Sequence, residues 1–402
     1  MHQGTHDTAP GSAQAPKAPA WAAVFSMSLG VFALVTAEFL PASLLTPMAA
    51  DLKITEGLAG QAVTATAAVA LITSLLIATA TRRIDRRYVL LAFSVLLICS
   101  NMVVAFAPNL PALLAGRVLL GIAIGGFWTM SAATAMRLVP EPLIPRALSI
   151  MFTGVSAATI VAAPVGSYLG ALIGWRNVFL VTSVLGFVAL LWQFATLPRM
   201  APSGQTRLGT LIQVLRRPGI GFGMLAVIVV FTGHFAFFTY LRPFLETVTG
   251  VGVSGLSAIL LGFGVANFVG TSVAGLMLER NLRLTLALMP LLMGLLGLSL
   301  VAMGTAPLAD AVMVALWGFA FGTVPVGWST WITRTVPDEA ESAGGLIVAA
   351  VQLAITLGAA VGGVIFDVSG AQGVFGASGL ALLLATLMIL AGLRPQRIPA
   401  VA

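Results

Sequence analysis

Runs of about twenty apolar residues, the length that crosses a hydrocarbon core as a helix, recur along the whole chain, at 21–45, 58–80, 88–107, 176–196, 219–241 and 374–393 among others. Only 8% of the 402 residues are charged, against about 25% in an ordinary soluble protein. A water-soluble fold of this size could not cover itself with so few charges. The runs and their short connections predict an all-α polytopic membrane protein of about twelve transmembrane helices.

Residues 1–20 are polar and rich in Pro and Ala, with no apolar core of a cleavable leader, so the first span is expected to act as its own insertion signal. His2 and His6 fall in this tail, where disorder is the simpler reading than a metal site. Cys99 is the one cysteine, which excludes an intrachain disulfide and a cysteine metal cluster. The net charge of +7 could suggest a nucleic-acid partner, but the basic residues alternate between successive connections. One set holds Lys17, Arg82, Arg83, Arg86, Arg87, Arg137, Arg146, Arg199, Arg207, Arg216, Arg217, Arg280, Arg283, Arg334, Arg394 and Arg397. The other holds only Lys53, Arg176 and Arg242. The positive-inside rule places the first set, and both termini, in the cytoplasm, so the basicity reflects a lipid bilayer and not nucleic acid.

The single long polar connection, 197–217, divides the chain. The expected organisation is a cytoplasmic tail 1–20, a six-helix half 21–196, a central loop 197–217, a second half 218–393 and a tail 394–402. Sliding the second half over the first gives a gapless match at an offset of 197. Gly121 meets Gly318, Gly125 meets Gly322, and Arg137, Val139, Pro140 and Glu141 meet Arg334, Val336, Pro337 and Asp338. On the same offset Arg83 meets Arg280, Arg86 meets Arg283 and Gly166 meets Gly363. The first and seventh spans align at 196, where Glu38 meets His234 and Pro47 meets Pro243. Such a repeat marks transporters that rock one half against the other around a central site.

Within this apolar chain Arg117 is a fixed charge inside the fourth span, and Glu38 is the acid inside the first. Counted from Pro47 and Pro111, they lie roughly 13 and 9 Å from the same membrane face, so they are expected to meet. Arginine keeps its proton, so a Glu–Arg pair whose separation changes between two access states would load and release one on the carboxylate. The alternative is a static buried pair that fixes helix register. Val314 stands where the repeat would put a second Arg117, so the charge belongs to the first half. His234 could be a further protonation site or a neutral hydrogen bonder. Gly121 and Gly125 make a smooth face for close helix packing.

RRIDRRYVL, residues 82–90, resembles the loop between the second and third helices of the major facilitator superfamily, keeping its basic pair as Arg86 and Arg87 with Asp85 at its second glycine position. GLMLERNLR, residues 275–283, is the second copy and keeps Glu279 and Arg283. The family's form of this loop acts as a charge lock at the cytoplasmic gate; here its acidic position is Arg82. Arg117, Gly121 and Gly125 resemble the fourth-helix element of proton-coupled facilitators. The span ending in Ala163, Pro164, Gly166 and Gly170 resembles the antiporter element. GGFWTMSAATAMRLVP, GHFAFFTYLRP and VPVGWSTWITRTVPDEAES are similar to the purine ribonucleoside efflux branch of the drug/proton antiporters. The resemblance implies a twelve-helix fold in two pseudo-symmetric halves and proton-driven export through a monomer, with no cofactor and no metal.

The resemblance also implies a cavity lined from the first, fourth, seventh and tenth spans. Trp128 shares a helix face with Arg117, and Trp328 shares one with Trp317, by three-turn spacing. With Phe238 and Tyr240 they suit a flat, neutral, heteroaromatic cargo. Asn267, Gln352 and His234 are candidate hydrogen bonders to it, although helix-to-helix bonding would also explain the first two. No buried lysine or second acid is expected as a counter-ion. Sugar or multidrug efflux remains open by the same mechanism. A membrane-embedded enzyme would need paired intramembrane carboxylates or an H-E-x-x-H motif, and neither occurs.

Overall fold

The computed structural model describes residues 19–140, 143–201, 208–304 and 306–392. The N-terminal tail with His2, His6 and Lys17, the C-terminal tail with Arg394 and Arg397, and Glu141 and Arg207 lie outside them. The helices are α1 Trp21–Ser43, α2 Leu45–Leu52, α3 Glu56–Ala80, α4 Arg86–Ala105, α5 Leu110–Leu138, α6 Ile144–Ile173 and α7 Trp175–Thr196. There follow α8 Leu208–Leu215, α9 Ile220–Thr239, α10 Leu241–Thr247, α11 Val253–Met303, α12 Pro307–Thr335 and α13 Ala340–Gly392, with a 3-10 turn at Pro337–Glu339. Among the described residues, 10 helices are long and apolar enough to cross a membrane. The protein is therefore an all-α, multi-pass membrane protein, with pseudo-symmetric helix packing.

Two of the helices are bent. Backbone at Asn281 is non-helical within the 51-residue α11, and at Gly370 within the 53-residue α13. Gly370 has φ 66° and Gly174, which separates α6 from α7, has φ 83°, a region that glycine enters without a Cβ clash. The two glycines are 196 residues apart, so the same sharp turn is made twice.

This offset governs more of the repeat than the sequence match at 197 suggests. Asp85 caps α4 by accepting from Arg87 N at 2.8 Å, and Asn281 caps the second part of α11 by accepting from Leu284 N at 3.0 Å. Arg87 Nη2 donates to Phe194 O and Arg283 Nη2 to Leu390 O. Leu44 interrupts α1 and α2 where Tyr240 interrupts α9 and α10. All three pairs lie at 196. Arg87, not Arg86, is thus the counterpart of Arg283, and Gly166, which packs against Leu40, corresponds to Gly362, which packs against Ala236.

The 197 offset holds for one helix pair in each half, where it has a packing cause. A Cβ on Gly121 would overlap Thr66 O and one on Gly125 would overlap Ala70 O; Gly318 and Gly322 stand in the same relation to Phe263 O and Asn267 O. Both members of each contact are displaced by 197, so α5 lies on α3 as α12 lies on the first part of α11. Gly125→Ala and Gly318→Ala are each expected to destabilise by about 1–3 kcal/mol through backbone overlap. Gly262→Ala, where a Cβ meets open space, should be near neutral. Thermal unfolding in detergent checks the contrast.

The halves meet through α3 against the first part of α13, where Val63 and Ala67 pack with Ile355 and Ala359. They meet again through α6 against α11, where Gly264 sits over Ile160. At the end away from the arginine-rich connections, Arg242 Nη1 donates to Ser43 O, and Thr55 Oγ1 donates to Asp367 Oδ2 at 3.1 Å. Arg242, read from sequence as a loop residue, is in fact buried and paired with Glu246 at 2.8 Å. Its acceptor has a simple origin: Pro47 has no N–H, so the carbonyl four residues earlier, Ser43 O, has no helical donor. At the other end, on the second half's side alone, Arg217 at the close of the central connection holds Asp338 through two bonds of 2.8 and 2.7 Å, which keeps that carboxyl below the usual carboxylate range. This contact is therefore present at neutral pH and is lost as pH falls through the lowered value.

Candidate functional site

Arg117 is fully buried, and helix 1 explains why it can be. Pro41 leaves Ala37 O without its helical donor. Arg117 Nη1 donates to that oxygen at 2.9 Å, Nη2 to Glu38 O at 3.4 Å and Nε to Ala62 O of α3 at 3.2 Å. The guanidinium thus ties α5 to α1 and α3 through backbone carbonyls. The expected meeting of Glu38 and Arg117 occurs at the Glu38 backbone. The carboxylate makes no ion pair with the guanidinium in this conformation; the three ion pairs found among the described residues involve other groups. Glu38 instead lines a small cavity with Phe39, Ala42, Val63, Phe235, Phe238, Thr239 and Ile355.

The second half builds a neutral counterpart. Trp317 Nε1 of α12 donates to His234 Nδ1 of α9 at 3.1 Å. Nδ1 must then be an acceptor, which makes the ring the neutral tautomer protonated at Nε2. Phe321 stacks on His234 with centroids 3.2 Å apart and planes 4° apart. Helix α5 reaches α1 with a charge, and α12 reaches α9 at the matching slot with an indole.

Phe321 also lines a cavity of about 750 Å³ between α1, α6, α11 and α12. Phe39, Phe152 and Phe268 add aromatic walls. Ser156, Thr159, Asn267, Thr271, Ser329, Thr330 and Thr333 supply the polar groups, and Arg334 stands at one end. Thr333 and Arg334 are exposed, so the mouth faces the arginine-rich connections, while the Arg242–Ser43 and Thr55–Asp367 contacts close the opposite end. Phe39 lines both this cavity and the small one at Glu38.

The remaining sequence candidates fall in different places. Asn267 lines the large cavity while its Nδ2 donates to Gly318 O at 3.3 Å. Trp128 stands behind the wall, stacked on Phe152 at 6.0 Å. Trp328 is buried against Trp331, and its Nε1 has no hydrogen-bond partner; Gln352 Oε1 is likewise buried and unbonded. Phe238 packs edge-on to Phe39 at 5.4 Å, and Tyr240 donates to Ala359 O at 3.0 Å. Asp310, not expected as a buried acid, has no exposure and accepts from Thr249 Oγ1 at 2.7 Å. In the loop copies, Asp85 also accepts from Met200 N at 2.9 Å, Arg86 Nη1 donates to Thr81 Oγ1 at 2.8 Å, and Glu279 is exposed. The Arg86–Thr81 bond stays within the first half, and the Asp85–Met200 bond ties that half to the start of the central connection.

Sequence reading missed the hydroxyls. Ser156 and Thr159 lie three residues apart, as do Thr330 and Thr333, and Ser329 lies four before Thr333, so each of these pairs shares a helix face. That spacing was legible, but hydropathy treats Ser and Thr as neutral in a helix.

A buried guanidinium, a central cavity open at one end and closed at the other, and repeated helix packing are the architecture of a membrane transport protein. The chain belongs to the Major Facilitator Superfamily, whose profile matches residues 27–354. It is 48% identical over 376 residues to the purine ribonucleoside efflux pump NepI of Salmonella enteritidis PT4, covering 94% of this chain and 95% of that protein, and equally to that of Salmonella typhimurium LT2. Among solved structures, the nucleoside transporter NupG superposes with a TM-score of 0.76 at 13% identity, over 92% of this chain and 100% of that one. The D-xylose-proton symporter gives 0.73 at 18%, over 94% and 97%.

Proposed function

We propose that this protein exports purine ribonucleosides such as inosine and guanosine across the bacterial cytoplasmic membrane in exchange for protons. The observation that carries the reading is the shared wall: Phe39 borders both the large cavity and the cavity of Glu38. An aromatic cargo and the carboxylate are thus one side chain apart. The large cavity falls in the size range that holds a drug-sized ligand, and Phe152, Phe321 and Phe39 offer faces on which a purine stacks. Trp128 backs Phe152, and His234 acts through Phe321. Asn267 is left to bond the base or ribose; Gln352 and Trp328, with unbonded buried atoms, are groups that a change of state would satisfy. The relatives named as purine ribonucleoside efflux pumps support this cargo.

In this reading α11 and α13 each count as two spans, which gives twelve in two six-helix halves, 21–196 and 218–393. The arginine-rich connections and both termini are cytoplasmic, the cavity faces inward, and a monomer suffices. Asp85, Arg86, Arg87, Glu279 and Arg283 border the cytoplasmic gate and brace each half during rocking. Arg117 stays charged, so the coupling proton rides on Glu38. Competition in vesicles tests the cargo: inosine and guanosine should displace each other, whereas arabinose and ethidium should not. Competition by arabinose or ethidium, with inosine inert, contradicts the nucleoside reading and favours sugar or multidrug efflux.

A further inference from the structure

We infer that the large cavity selects its cargo by hydrogen-bond donors, because five of its six lining hydroxyls are set to accept. This rests on the nucleoside reading and names what in a nucleoside is recognised. Ser156 Oγ donates to Phe152 O at 3.3 Å and Thr159 Oγ1 to Val155 O at 2.9 Å on α6. On α12, Thr330 Oγ1 donates to Val326 O and Thr333 Oγ1 to Ser329 O, each at 2.8 Å. Thr271 Oγ1 reaches across to Gly322 O at 2.9 Å. A carbonyl oxygen only accepts, so in each bond the single hydroxyl proton is turned into the backbone. What these groups present to the cavity is oxygen lone pairs.

The Asn267 amide adds a further acceptor: one Nδ2 proton is engaged by Gly318 O, the second stays free to donate, and Oδ1 accepts. Turning a hydroxyl around to donate to cargo would forfeit its backbone bond in a largely apolar setting, where that loss is felt. Arg334, at the mouth, is the charged donor of the lining. The cavity therefore holds groups that carry protons, such as the ribose hydroxyls and the N1–H or amino group of a purine. It discriminates against shapes of the same size that only accept. A site built this way rejects an analogue lacking the donor more strongly than an apolar pocket rejects an added methyl group.

The test is equilibrium binding to the full-length protein in detergent, with inosine, 2′,3′-dideoxyinosine and 1-methylinosine as probes. Removing the ribose hydroxyls or blocking N1–H should each weaken binding about three- to tenfold per lost bond. Thr159→Val and Thr330→Val keep side-chain shape, and should weaken inosine by a similar factor while reducing the ratio between inosine and its donor-poor analogues. Thr330→Ser should restore that ratio, which a merely structural role would not move. Equal binding of all three probes, or ratios unchanged by both valine variants, overturns the inference and leaves the nucleoside reading intact. Absence of inosine binding, with a sugar or a cation bound instead, overturns both.

Discussion

Arg117→Ala should abolish transport and also lower stability, by about 3 kcal/mol or more. The estimate follows from losing hydrogen bonds to a charged donor, each worth about 1.5–3 kcal/mol. Ala37 O is the sensitive acceptor, because Pro41 has already removed its helical donor. The cause can be isolated. In a Pro41→Ala background residue 41 regains an N–H that can serve Ala37 O, so Arg117→Ala should cost about 1–2 kcal/mol less there. Arg117→Lys should recover only part of the loss, because one ammonium cannot span the carbonyls of α1 and α3 as the planar fork does. Melting temperatures of the four members of the cycle check this. Strict additivity would mean that the proline-freed carbonyl is not what holds the arginine.

The sequence carried the location of this contact better than its chemistry. The all-α multi-pass class, the arginine-rich connections and the glycine faces were legible because hydrophobic length, charge and small residues are the terms that lipid enforces most strictly. Depth arithmetic also brought Glu38 and Arg117 to one level. Depth says nothing of rotation about a helix axis, however, and it is rotation that turns the carboxylate toward Phe238 and leaves the carbonyls for the guanidinium. The signal that would have corrected this was present: each proline at 41 and 47 frees the carbonyl four residues earlier, and each is answered by an arginine, Arg117 or Arg242.

The repeat was read with the 196 offset for the first and seventh spans alone, whereas the fold extends that offset to the loop copies and to Gly166 and Gly362. Lipid-facing stretches tolerate a one-residue slip in a connection, whereas the overlap at Gly125 and Gly322 does not. The cavity was the least legible part. Trp128 and Trp328 are the conspicuous residues in the sequence, yet the walls are Phe39, Phe152, Phe321 and a set of hydroxyls. Which face of a helix borders a cavity is decided by how α6 and α12 lie against their neighbours, and no local pattern records that.

Glu38→Gln should have the second large effect, of a different kind. The amide keeps the shape of the side chain, and neither Arg117 nor its carbonyl acceptors are touched, so fold and cargo binding should persist while coupling to protons is lost. Arg117→Ala, by contrast, should reduce both stability and transport. The two variants therefore separate the group that holds the helices from the group that carries the proton.

The most direct measurement follows inosine and protons together in proteoliposomes loaded with inosine and a pH-sensitive dye. Acidifying the outside should speed inosine release by the wild-type protein, with proton entry that depends on inosine. Glu38→Gln should bind inosine with unchanged affinity yet show no inosine-dependent proton entry. Proton entry with inosine at the wild-type rate in Glu38→Gln would contradict the assignment of this carboxylate as the coupling group.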